Sequence, residues 1–122
     1  MIGYAVVGTN DLERAKAFFE ALLAPYGVKR MMDTARNCIW SAGRGQPMLG
    51  VNTPFDGEEA CVGNGTMVAL AADTREQVDE IYKKALELGG TDEGAPGERF
   101  AGFYAGYFRD LDGNKFNVFK MG

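Results

Sequence analysis

A chain of 122 residues with 46% apolar and 25% charged side chains has the size and make-up of one globular domain. Its formal net charge of -4 argues against nucleic acid, which needs a basic surface, and no apolar run reaches membrane-spanning length. It contains no histidine, so the commonest metal ligand and the commonest general base are both missing.

The first strand is predicted over Tyr4 to Gly8. Asn10 followed by Glu13 is the spacing of a helix cap, and an apolar stripe of Leu12, Ala15, Phe18, Phe19, Leu22 and Leu23 has helical period. Pro25 and Gly27 end that helix. Strand-like segments follow at Lys29 to Asp33, Asn37 to Ala42 and Gln46 to Asn52. "TPFDGEEACVGNG" is expected to cross the surface as a linker.

The pattern then starts again. "MVALAADTREQVDEIYKKALELGG", from Met67, matches "YAVVGTNDLERAKAFFEALLAPYG", from Tyr4, without a gap. Val7 falls on Leu70, Asn10 on Asp73, Glu13 on Glu76, Phe19 on Tyr82 and Gly27 on Gly90. A period of half the chain means two copies of one unit. The second copy has a strand from Met67 to Ala71, a cap at Asp73, and a helix with Val78, Ile81, Tyr82, Ala85 and Leu86 inward. "GTDEGAPGERFAG" is loop-like, and Phe103 to Arg109 and Lys115 to Lys120 form a closing hairpin turned by Asp112, Gly113 and Asn114. The expected class is α+β: two βαβββ modules, about 1–56 and 63–122 of a single domain, in a mainly antiparallel mixed sheet. Helices would cover one face and leave the other free, curving into a cup.

Cys38 and Cys61 are far apart in sequence and are expected to be free and buried. The N-terminus shows no secretory pattern, so the expected location is cytoplasmic. Ser41 has no histidine partner for a hydrolase triad, and Asp110 and Asp112 are read as turn formers.

The strand-helix repeat and the hairpin "FYAGYFRDLDGNKFNVF" resemble the vicinal oxygen chelate superfamily, which includes glyoxalase I, extradiol dioxygenases and bleomycin-resistance proteins. Leu111 stands where that hairpin usually has proline. The resemblance implies a metal site at matching strand positions, but this chain has Tyr4, Met67 and Asn117 at three of them, and Phe100 nearest a fourth. A phenol, a thioether and a neutral amide supply no anionic ligand at neutral pH. The expectation is therefore no metal and no cofactor. A relocated site at Asp33, Asp92, Glu93 or Glu98 is the alternative.

Strand alternation groups Tyr4 with Val6, Met67 with Ala69, and Asn117 with Phe119, and the resemblance places these faces in the cup. Trp40, Met48, Phe100 and Tyr104 are candidate neighbours. The ligand-binding set is then Tyr4, Trp40, Met48, Met67, Phe100, Tyr104, Asn117 and Phe119, for a small organic molecule, aromatic or cationic. The competing reading is that these residues merely fill the cup or a dimer interface. A homodimer is expected, with neither nucleic acid nor membrane as partner. A lyase or dioxygenase type of enzyme, with Tyr4, Tyr104 or Tyr107 supplying acid chemistry, and a regulatory module with a filled cup are the rival functions.

Overall fold

The computed structural model describes all 122 residues, as two compact units, 1–62 and 63–122. The first contains β1 (Tyr4–Gly8), α1 (Leu12–Leu22), a short 3₁₀ turn (Ala24–Tyr26), β2 (Lys29–Asp33), β3 (Asn37–Ser41) and β4 (Met48–Asn52). The second contains β5 (Val68–Ala71), α2 (Arg75–Glu87), β6 (Thr91–Phe100), β7 (Phe103–Arg109) and β8 (Lys115–Met121). Each unit has its own four-stranded mixed sheet, ordered β1-β4-β3-β2 and β5-β8-β7-β6. In both, the strand that precedes the helix lies parallel to the last strand, and the other pairings are antiparallel.

In the first unit Phe18, Phe19, Leu22 and Leu23 of the helical segment are buried with Cys38, Trp40, Leu49 and Val51 of the sheet. Phe19 meets Trp40 at 5.9 Å between ring centroids. Full burial of a ring this size makes Phe19→Ala a loss of about 3–5 kcal/mol. In the second unit Val78, Ile81 and Ala85 are buried with Phe108, Phe116 and Val118. Tyr82 and Leu86, expected in that stripe, are only half-buried. Tyr82 instead lies over Gly106, where an added Cβ would be 3.2 Å from its ring, and donates its hydroxyl to Asp92 Oδ1 at 2.7 Å.

Both caps sit one residue later than expected. Asp11 accepts from Arg14 N, and Thr74 accepts from Gln77 N. Asn10 instead ties down the following linker, donating to Ala60 O and accepting from Ala60 N at 2.6 Å. The segment expected to be a loop is β6, an edge strand. Its pairing with β7 slips between Asp92 and Gly94, between Gly94 and Gly97, and between Glu98 and Phe100. Glycine and Pro96 disguise it in sequence, because bulges and an edge position tolerate both. Cys38 is buried as expected, but Cys61 is exposed, being in the linker rather than the core.

The closing hairpin is held by Asp110. Its Oδ1 accepts from Asp112 N and Asn114 N, and its Oδ2 from Asn114 Nδ2 at 2.8 Å. Gly113 has φ 89, which a side chain rarely adopts. This loop fixes Arg109 opposite Lys115, and so sets which β7 residues share a face with Asn117.

Candidate functional site

Each sheet has one face against its helix and one without. In the second unit the helix face carries Phe108, Phe116 and Val118, all fully buried. By alternation the other face carries Asn117, Phe119 and Met121 of β8 and Phe103, Ala105, Tyr107 and Arg109 of β7. Asn117 pairs with Tyr107 on one side and with Ala69 on the other. Phe119 stacks on Phe103 at 5.6 Å, and Phe103 stacks on Phe100 of β6 at 4.8 Å. The three rings thus form a face-to-face column across the strands, an apolar patch beside the amide.

Asn117 is 3% exposed, and its Oδ1 is buried with no hydrogen-bond partner. Buried acceptors are nearly always satisfied, and an orphan costs about 1–3 kcal/mol. In the first unit the corresponding face carries Tyr4 and Val6, both exposed, with Met48 paired to Tyr4. One end of that face has a groove of about 690 Å³, lined by Lys29, Met31, Ser41, Arg44, Gln46 and Met48 among others.

The predicted site residues therefore divide. Within their own units, Tyr4 and Met48 share one helix-free face, and Phe100, Asn117 and Phe119 share the other. Met67, just before β5, alternates onto the face of Ala69 and is exposed. Trp40 and Tyr104 do not belong with them. Trp40 is buried against α1 and donates its indole N–H to Glu20 Oε2 at 2.6 Å. Tyr104 points to α2, where its hydroxyl donates to Asp79 Oδ1 at 2.6 Å. That bond, aided by burial, holds the Tyr104 phenol above its ordinary pKa, which makes it a poor acid at neutral pH. Phe103 and Tyr107 occupy the face on which Tyr104 was expected. The strand bounds expected from the sequence, Phe103 to Arg109 and Lys115 to Lys120, already imply this register, which pairs Asn117 with Tyr107.

The donor set does not fit a metal. No three carboxylate or cysteine side chains come together as a metal group. Each carboxylate of the relocated alternative is already engaged. Asp33 bridges Lys16 and Arg30, which hold its carboxyl below the ordinary range, and Glu93 bonds Arg109 at 2.6 Å. Asp92 accepts from Tyr82 and Gly94 N, and Glu98 accepts from Gly102 N. No helix is long and apolar enough to cross a membrane.

The comparisons agree with this architecture. A glyoxalase/bleomycin resistance protein from Albidiferax ferrireducens is 34% identical, over 98% of this chain and 97% of that one, with a TM-score of 0.89. A glyoxalase/bleomycin resistance protein/dioxygenase family enzyme from Burkholderia phytofirmans (19% identity, 98% of each chain, TM-score 0.78) shares the fold. So does a lactoylglutathione lyase from Agrobacterium tumefaciens (22% identity, 98% of this chain and 92% of that one, TM-score 0.71). Comparison with curated protein sequences finds no match. The profile of the Glyoxalase/Bleomycin resistance protein/Dioxygenase superfamily matches residues 1–118. The chain belongs to that superfamily, as a member without its usual metal ligands.

Proposed function

We propose that this protein binds a small organic molecule without a metal, on the helix-free sheet faces, in a sequestering or resistance-like role. The observation that carries this reading is the orphaned Oδ1 of Asn117 beside the Phe119–Phe103–Phe100 stack. A core residue with no task would be cheaper as leucine, because an apolar replacement removes an unmet acceptor. A ligand N–H or O–H donor would meet it, while the rings take a planar body. Exposed Met67 is a flexible side chain on the same face that can give way to such a ligand. Exposed Tyr4, Val6, Met67 and Phe100, on these same faces, also favour a homodimer that covers part of them.

The test is a thermal-shift screen of planar compounds with and without an N–H or O–H group, run on protein whose metal content has been measured. Donor-bearing rings should raise Tm in protein free of stoichiometric transition metal, and chelator should change nothing. A metal bound one per chain, or a Tm that falls on chelation, overturns the reading.

A further inference from the structure

The helix-free face of the second unit is chemically graded from end to end. Its aromatic end is Phe119, Phe103 and Phe100, and Asn117 lies next along β8. Beyond Asn117 the face becomes basic. Arg99 lies over the Tyr107 ring at 5.3 Å, and Lys115 over the same ring at 5.7 Å. Gly94 and Gly97 make room for the Arg99 guanidinium, which comes within 3.2 Å and 3.0 Å of where their Cβ atoms would be. It is anchored by donating to Ala95 O at 2.7 Å.

Neither Arg99 nor Lys115 has a carboxylate partner. The acidic side chains of β6 are committed elsewhere: Asp92 to Tyr82, Glu93 to Arg109, and Glu98 to Gly102 N and Arg75. In a chain of net charge -4, two unpaired cations on one ring, beside an unmet buried acceptor, form a local reversal of charge.

We infer that the ligand of this face is an aromatic anion carrying an N–H or O–H donor: its carboxylate, sulfonate or phosphate lies at Arg99 and Lys115, its donor meets Asn117, and its ring covers Phe119 and Phe103. This deepens the binding reading above and rests on it. It replaces the cationic alternative, because a cation would meet two like charges here.

Anilinonaphthalene sulfonate combines all three features, and N-phenylnaphthylamine is the same rings and N–H without the sulfonate. Fluorescence titration should show the sulfonate bound at least roughly tenfold more tightly, the scale of one charge-assisted contact. Arg99→Gln/Lys115→Gln should reduce the two affinities to near equality by weakening the anion alone. Asn117→Leu should weaken both probes. Equal binding of the probes to the wild type, or a double variant that keeps the preference, overturns the charge assignment and leaves the binding reading standing. Failure of both probes to bind, or binding of both unaffected by Asn117→Leu, overturns the two together.

Discussion

Trp40 Nε1 and Glu20 Oε2 lie 2.6 Å apart, joining the middle of the first sheet to α1, and Arg30 Nε reaches the same carboxylate oxygen at 3.1 Å. The only tryptophan in the chain is thus a strut between sheet and helix. Trp40→Phe loses a charge-assisted hydrogen bond and leaves unfilled volume, so the expected cost is roughly 2–4 kcal/mol in chemical denaturation. Probe binding at the second unit's face should be unchanged. A loss of ligand affinity with little loss of stability would return Trp40 to the binding set.

The fate of Trp40 shows what the sequence reveals and what it hides. Element type follows where the period is plain, so β1, β2 and β7 lie where expected, end to end, whereas β6, broken by glycine and Pro96, does not show. Which face of a strand meets the helix does not follow from alternation, because an aromatic suits either face. For Trp40 the answer depends on Glu20, twenty residues away and silent in any local pattern. For Tyr104 it depends on Asp79 of α2, which takes its hydroxyl from twenty-five residues away. Asn117 was legible because the resemblance fixes its position, but its lack of a partner is visible only in three dimensions.

Two glycines that match in the repeat serve different purposes. Gly27 has φ 67 and open space around it. Gly90 lies where an added Cβ would be 2.7 Å from both Ala85 O and Arg109 O, which are backbone atoms that cannot step aside. Gly27→Ala should cost about 1–2 kcal/mol, the strain of a left-handed alanine. Gly90→Ala should cost more than about 3 kcal/mol or fail to give folded protein. Equal costs in paired denaturation curves would mean that the two positions share one role.

Burial pushes the Asp110 carboxyl above the ordinary carboxylate range, against the hydrogen bonds from Asn114 and Asp112 that pull it down. The native state therefore keeps a proton that the unfolded chain has already released. Its stabilising effect is complete below the ordinary carboxylate pKa and is lost as pH rises through the raised value. Asp110→Asn, which retains an acceptor for the two amides, does not titrate. The stability difference between wild type and this variant should move against the wild type as pH climbs through that window. A constant difference would show the charge to be fully compensated. Asp110→Ala, which removes all three acceptor contacts, should cost about 1–3 kcal/mol below that window and less above it.

The central claim is that Asn117 is kept for a ligand at a cost to the empty protein. The most direct measurement is the unfolding free energy of ligand-free Asn117→Leu against wild type. The amide and leucine are of similar size, so the change removes an unmet acceptor without opening a cavity. The account expects the variant to be more stable by about 1–3 kcal/mol. A variant destabilised by a similar amount would show that Asn117 is satisfied within the fold, and would contradict the claim.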